Sequence, residues 1–153
     1  MLKKIIKLLL IIICMVTIFM FSSDNREAST KKSDGVIVHI SEAILGRKLT
    51  DYEKINYIDK YVLLVRKGAH FSIYFLLGLF VISFFKEFMV INRKTFLLTV
   101  IFVFLYACSD EIHQLFVPGR SCEVLDVLID TCGGGFAAFC YMFFNRIRRI
   151  YYE

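Results

Sequence analysis

Four long apolar segments dominate the pattern of hydrophobic and polar positions along the chain. They cover residues 5–22, 61–85, 95–117 and 122–144. At a rise of 1.5 Å per residue, the second segment makes a helix of roughly 37 Å, which is enough to cross about 30 Å of hydrocarbon. The pattern therefore predicts an all-α polytopic membrane protein, built as a four-helix transmembrane bundle.

One long polar stretch, residues 24–60, separates the first two apolar segments. It carries seven Lys or Arg and seven Asp or Glu, so its charges balance. Residues 36–45 are apolar enough for a short amphipathic helix at the membrane surface, and Gly46 is a typical helix terminator. Thr50 and Glu53 form a capping-box pattern, which predicts that another helix starts there and runs into the second apolar segment.

These patterns divide the chain into three parts. Residues 1–23 are expected to form an N-terminal transmembrane anchor, because no small-x-small cleavage pattern follows the first apolar segment. Residues 24–60 are expected to form an extracytoplasmic loop with the amphipathic helix, and residues 61–149 the remaining transmembrane domain.

Composition and charge agree with a membrane protein. The chain is 58% hydrophobic, against about 45–50% apolar residues in ordinary soluble domains. Three basic clusters flank the apolar segments: Lys3, Lys4 and Lys7; Lys86, Arg93 and Lys94; and Arg146, Arg148 and Arg149. Clusters at segment ends, rather than on one soluble face, argue against a nucleic-acid partner. With both termini inside, all three clusters lie on the cytoplasmic side, as the positive-inside rule favours.

Small side chains predict how closely the helices pack. Gly133, Gly134 and Gly135 remove side-chain bulk from the fourth segment, which allows a neighbouring helix to approach. The five cysteines have neither C-x-x-C nor metal-type spacing, and most lie inside apolar segments, where cysteine behaves as a small hydrophobic residue. A Cys108–Cys122 disulfide is conceivable, but no pattern in the sequence supports it.

Ionisable side chains also occur inside three apolar segments, where each charge costs roughly 2.5–3.5 kcal/mol to insert. At 100° per residue, Lys67, His70 and Tyr74 share one face of the second segment. Further candidates are Asp110, Glu111, His113 and Gln114 on the third segment, and Asp126 and Asp130 on the fourth. Because lipid cannot solvate them, we expect these groups to meet at one depth inside the bundle and to pair with Arg66, Lys67 or Arg120.

Several functions remain open for such a cluster. The carboxylates and imidazoles are suited to acid–base catalysis, and Lys67, Arg66 and Arg120 are suited to holding a phosphate. A metal site built from His70, Glu111, His113, Asp126 and Asp130 is an alternative, although no local spacing resembles a known metal-binding helix. A purely structural polar network is another. A serine nucleophile is not favoured, because neither Ser109 nor Ser121 lies in a G-x-S-x-G context.

The motifs around these residues resemble those of the VanZ-like family of small bacterial integral membrane proteins. The resemblance covers about residues 60–145. It rests on Arg66-Lys67-x-Ala69-His70-Phe71-x-x-Tyr74, on Asp110-Glu111-x-His113-Gln114-x-Phe116-x-Pro118-Gly119-Arg120, and on Asp126-Val127-x-x-Asp130-x-x-Gly133. Phe21-Ser22-Ser23 also fits the family, whereas Asp24 stands where a glutamine would be expected.

The resemblance implies a multi-pass protein of the bacterial cytoplasmic membrane, and the founding member is linked to resistance against the glycopeptide teicoplanin. We expect the protein to bind or act on an anionic envelope component at the outer leaflet, either a lipid-linked wall precursor or a phospholipid headgroup. Catalytic roles are assigned to His70, Glu111, His113, Asp126 and Asp130, and substrate binding to Arg66, Lys67, Tyr74, Asp110, Gln114 and Arg120. No metal ligand is assigned and no cofactor is named. A non-enzymatic shielding module and a small ion or proton conductor are the alternatives.

Overall fold

Five helices make up the computed structural model, which describes the backbone of residues 1–152 and the side chains of residues 1–148. They are α1 (Leu2–Ser22), α2 (Arg26–Leu45), α3 (Asp51–Phe85), α4 (Arg93–Gln114) and α5 (Val124–Tyr152). All except α2 are long and apolar enough to cross a membrane. The predicted all-α fold with four membrane-spanning helices is therefore confirmed. Arg149, which we placed in the last basic cluster, lies outside the described side chains.

The helix ends follow local capping chemistry. The Thr50 side chain accepts a hydrogen bond from the Glu53 amide, and the Glu53 carboxylate accepts one from the Thr50 amide, so the predicted capping box is present. Gly46 ends α2 in the left-handed conformation, at a φ of 67°, as its position predicted.

Helix α2 is twice as long as the short helix predicted over 36–45, and that prediction was wrong about its start. The Asn25 side chain caps the helix by accepting a hydrogen bond from the Ala28 amide, and Glu27 pairs with Lys31 one turn later. These local bonds extend the helix through a polar stretch with little hydrophobic periodicity.

The ends of α4 and α5 also differ from the predicted 95–117 and 122–144; α5 begins two residues later, at Val124, and continues eight residues further, to Tyr152. Helix α4 is capped by Asn92 and begins at Arg93, two residues before its predicted start. It ends at Gln114, before a turn that contains Pro118 and Gly119. Gly119 has a φ of 76°, which is a backbone conformation that favours glycine. The turn leaves residues 115–123 as a connection that can bring Arg120 back towards α4.

Glycines bring α3 and α5 into close contact. A Cβ added to Gly78 would lie 2.5 Å from the carbonyl oxygen of Gly134, and one added to Gly133 would lie 2.4 Å from that of Phe71. Gly134 also faces Val103 of α4 at a distance that excludes a side chain. The predicted close approach at Gly133 and Gly134 is therefore present, whereas Gly135 has only ordinary contacts.

Three contacts fix α1 on the bundle, one at each end and one between them. At one end Lys7 pairs with Glu87 at 2.5 Å, beside the turn between α3 and α4. At the other, Arg120 donates a hydrogen bond to the Phe21 carbonyl. Between them, the Tyr106 hydroxyl donates to the Met15 carbonyl at 2.6 Å. We call the two ends of the bundle the Lys7 end and the Arg120 end.

Candidate functional site

A cleft of about 600 Å³ lies at the Arg120 end, between the last turn of α1, the first half of α2 and the middle of α3. One part of its wall is apolar and is formed by Ile18, Phe21, Val36, Val65, Ala69, Ile73 and Leu76. The other part is polar and contains Ser22, Asp24, Lys32, Arg66, His70, Tyr74, Asp110, Gln114 and Arg120. The cleft is therefore lined by both apolar and charged groups.

Six of the eleven predicted site residues line this cleft. They are Arg66, His70, Tyr74, Asp110, Gln114 and Arg120. Lys67, Glu111, His113, Asp126 and Asp130 lie outside its wall. The sequence predicted a single site for all eleven residues, whereas the structure places six in the cleft wall and five outside it.

Arg120 is held at the cleft by oxygen atoms that carry no formal charge. Its Nε donates to the Asp24 carbonyl at 3.0 Å and its Nη2 to the Phe21 carbonyl at 3.1 Å. Its Nη1 donates to the Gln114 side-chain oxygen at 3.2 Å. Within residues 1–148 no carboxylate forms an ion pair with this guanidinium, although Asp24, Asp110 and Glu111 lie close enough for their charges to act on it.

Arg66 contributes a second positive charge to the same cleft. It is half-buried, and it forms no hydrogen bond or ion pair with any side chain that the structure describes. Burial, together with the nearby charge of Arg66, lowers the pKa of the Arg120 guanidinium below its ordinary value. Two guanidinium groups in one partly buried cleft are suited to an anion.

Three buried polar atoms of the cleft lack a hydrogen-bond partner among the described residues. They are Tyr74 Oη, Asp110 Oδ1 and Ser22 Oγ. The other oxygen of Asp110 accepts from Gln114 Nε2 at 3.3 Å. Ser22 Oγ lies beside the Asp110 carboxylate, close enough for a small shift to pair the two, but it does not meet the geometric criteria for a hydrogen bond.

His70 connects the cleft to a carboxylate in the bundle interior. Its Nδ1 lies 3.2 Å from Oδ1 of Asp130, whose side chain is fully buried on α5. A carboxylate at Nδ1 fixes the orientation of an imidazole and leaves Nε2 for another partner. Because His70 also lines the cleft, this pair has the arrangement that an acid–base group needs.

Lys67 belongs to an ion-pair cluster beside the cleft. Its ammonium donates to Glu123 at 2.9 Å and also contacts Asp126, which is buried on the first turn of α5. The Lys67 hydrogen bond lowers the pKa of Glu123. Lys67 is thus neutralised by two carboxylates, which is a different environment from the phosphate contact that we predicted for it.

Glu111 holds the connection between α4 and α5. One of its oxygens accepts from Gln114 Nε2 at 2.9 Å, and the other accepts from the Glu123 amide at 2.7 Å. The side chain is 1% exposed, and both of its oxygens are engaged within the protein. Its contacts position Gln114, and through Gln114 they position Arg120.

His113 faces α1 instead of the cleft. Its Nε2 lies 3.1 Å from the Ser23 hydroxyl, and its ring stacks on Phe19 with centroids 4.4 Å apart. His113 therefore does not line the cleft that His70 lines. Among the described residues, no group of three or more His, Cys, Asp or Glu side chains is arranged to hold a metal ion.

Sequence reasoning did not assign Ser22, Asp24 or Lys32 to the site, although all three line the cleft. Lys32 pairs with Asp24 at 2.5 Å and thereby ties α2 to the end of α1. The Phe21-Ser22-Ser23 motif was a signal for this region, because it resembles the family. Lys32 had no such signal, because its place depends on how α2 folds back over α3.

The comparisons with known proteins agree with these motifs. The model of the VanZ/LLP1 family matches residues 7–145, which include α2 and all the candidate site residues. No curated protein and no solved structure matches the chain. The match extends over most of a chain that has four membrane-spanning helices. This multi-pass membrane protein therefore belongs to the VanZ-like family.

Proposed function

We propose that this protein binds the anionic headgroup of an envelope lipid in the cleft. The observation that carries the proposal is the pair of arginines, Arg66 and Arg120, which line one cleft without a carboxylate partner among the described side chains. A phosphate accepts several charge-assisted hydrogen bonds, so it suits two guanidinium groups. A lipid-linked wall precursor and a phospholipid both carry such a group.

The apolar wall favours a lipid over a soluble anion. Leu76 and Ser72 at the edge of the cleft are exposed, and Ile73 and Ile18 continue the apolar surface alongside them. From Arg66 to Leu76 the cleft follows α3 for ten residues, or about 15 Å. A hydrocarbon chain can lie along this surface while its headgroup stays near the arginines.

The distribution of positive charge supports placing the cleft at the outer leaflet of the bacterial cytoplasmic membrane. The Lys7 end carries the basic clusters, as Lys7 contacts Glu87 there and Lys86 lies over the Tyr141 ring. The positive-inside rule then places both termini and this end in the cytoplasm. Residues 24–60 and the Arg120 end face outwards.

Replacing Arg66 with glutamine tests the binding proposal. Arg66→Gln removes a charge that has no partner among the described residues, so the fold should persist while lipid affinity falls by about 10- to 100-fold. The affinity is measured by titrating lipid into the purified protein and quantifying the bound fraction by native mass spectrometry. Arg47→Gln is the control, because Arg47 pairs with Glu53 in the α2–α3 turn and does not line the cleft. Equal affinity in the Arg66→Gln variant and the wild type would contradict the proposal.

The His70–Asp130 pair favours a second candidate, in which the bound lipid is also chemically altered. His70 would act as the general base or acid, with Asp130 holding its orientation. His70→Gln should then reduce lipid turnover by about 100-fold or more and leave binding intact. The measurement is lipid mass spectrometry of cells that express each variant at equal abundance. Unchanged lipid composition between cells with and without the wild-type protein would exclude this candidate and leave binding alone.

Binding without turnover is sufficient for a shielding role. A protein that covers an envelope precursor or alters its display changes how a glycopeptide antibiotic reaches its target. Teicoplanin sensitivity of cells that carry wild-type protein or Arg66→Gln therefore gives a cellular readout of the same site. If the wild type protects and the variant does not, the cleft is the origin of the effect.

A further inference from the structure

The floor of the cleft carries hydrogen-bonding groups that the binding of a phosphate does not require. Tyr74 is fully buried, Asp110 is 4% exposed and Ser22 is 5% exposed, and one oxygen of each lacks a partner among the described residues. An unsatisfied buried polar group is costly, because it loses its hydrogen bonds to water and gains none in the protein. Three such groups lining one cleft indicate that they serve a bound molecule.

The chemistry of these groups selects the kind of partner. A carboxyl oxygen, a phenol and an aliphatic hydroxyl are all satisfied by a ligand hydroxyl, because a hydroxyl both donates and accepts hydrogen bonds. A methyl or an alkyl group at the same place would leave all three unsatisfied. The floor of the cleft is therefore suited to a hydroxyl-bearing part of the ligand.

This floor is directly coupled to the anion site. Gln114 donates to Asp110 and accepts from Arg120, so one side chain spans from the carboxylate to the guanidinium. The hydroxyl-bearing part of a ligand would thus lie close to its phosphate. Both requirements can be met within one small headgroup.

We propose that the cleft recognises a phosphate headgroup with a neighbouring hydroxyl, which rests on the anionic-lipid function proposed above. Arg66 and Arg120 hold the phosphate, and Tyr74, Asp110 and Ser22 hold the hydroxyl. Two sources share this chemistry: a phospholipid with a glycerol headgroup, and a polyprenyl-linked sugar phosphate.

Two matched pairs of lipids test the inference. One pair is phosphatidylglycerol and phosphatidylethanol; the other is a polyprenyl phosphosugar and the polyprenyl methyl phosphate, so that all four lipids are phosphodiesters with one negative charge on the phosphate. Each is titrated into the purified protein and quantified by native mass spectrometry. The hydroxyl-bearing member of one pair should bind about 3- to 10-fold more tightly, as expected for one or two net hydrogen bonds. The pair that shows the preference identifies the source.

Tyr74→Phe supplies the matched variant. It removes only a hydroxyl that has no partner within the described residues, so the fold should persist while the preference falls by about 2- to 10-fold. Affinity for the hydroxyl-free lipid should not change. Tyr106→Phe is the control: it removes the hydroxyl bonded to Met15 outside the cleft, and it should leave the lipid preference as it was.

The outcomes separate this inference from the function on which it rests. Equal binding of both members in both pairs overturns the hydroxyl site and leaves anionic-lipid binding intact. A preference that persists in Tyr74→Phe and in Ser22→Ala overturns the assignment of these residues. Absence of binding to all four lipids contradicts the proposed function itself, and this inference with it.

Discussion

Gly78→Ala is expected to destabilise the protein by about 3 kcal/mol, at the upper end of the range for overpacking. The added methyl would lie 2.5 Å from the Gly134 carbonyl oxygen and 2.7 Å from its Cα. Both atoms belong to a helix backbone, which cannot rotate away as a side chain can. Helices α3 and α5 must therefore move apart, which weakens the packing of the side chains where the two helices cross.

The measurement is the temperature at which half of the detergent-solubilised protein leaves the monodisperse peak in size-exclusion chromatography. A loss of this size corresponds to roughly 6–12 °C in a chain of this length. Gly133→Ala should behave similarly, because its methyl would meet the Phe71 carbonyl oxygen at 2.4 Å.

Gly68→Ala is the matched control in the same helix. Nothing lies within 4 Å of the added methyl, and alanine has the higher helix propensity, so stability should stay the same or rise. Gly135→Ala is a second control on α5, where the nearest atom lies 3.7 Å away. If Gly78→Ala and Gly68→Ala melt at the same temperature, the crossing is not as tight as the structure has it.

Local signals in the sequence predicted the features that depend on short stretches of chain. The capping box at Thr50, the end of α2 at Gly46 and the close approach at Gly133 each follow from a few neighbouring residues. The number of spans follows from apolar length. These features could be predicted because their physical causes lie within the same segment.

Contacts between segments were less predictable, and His113 shows why. On a helix, Asp110, His113 and Gln114 lie within an arc of 100° around the axis. An arc of this width can face two neighbouring helices. Asp110 and Gln114 line the cleft, whereas His113 packs on Phe19 of α1. Helical periodicity shows which residues lie on the same face of a helix. Which neighbouring helix contacts each of those residues depends on tertiary packing.

Glu123 is a second example, because its carboxylate is exposed just before α5 yet makes contacts that the start of a helix does not predict. Its carboxylate pairs with Lys67, and its amide donates to Glu111. Both partners lie on other helices, so the sequence around Glu123 carries no sign of them. The Glu123–Lys67 ion pair bears on the proposed function, because it neutralises Lys67, whereas Arg66 and Arg120 have no carboxylate partner among the described side chains.

Lys67→Met is expected to cost about 3 kcal/mol, because it leaves the buried Asp126 carboxylate without its cation. We take the lower end of the range for a broken buried pair, since 29% of the Lys67 side chain is exposed. Asp126 is 6% exposed and lies on the first turn of α5, so the loss should loosen that turn. The same thermal assay measures the effect.

Adding Asp126→Asn to Lys67→Met distinguishes a structural ion pair from a ligand contact. The double variant removes both charges, so it should recover most of the stability that Lys67→Met loses. Lys48→Met is the surface control, because its side chain is 90% exposed, and it should change little. If Lys67 serves only the fold, the double variant also keeps the lipid affinity of the wild type, whereas Arg66→Gln does not. A double variant that is stable but no longer binds lipid would return Lys67 to the phosphate site that its sequence motif first indicated.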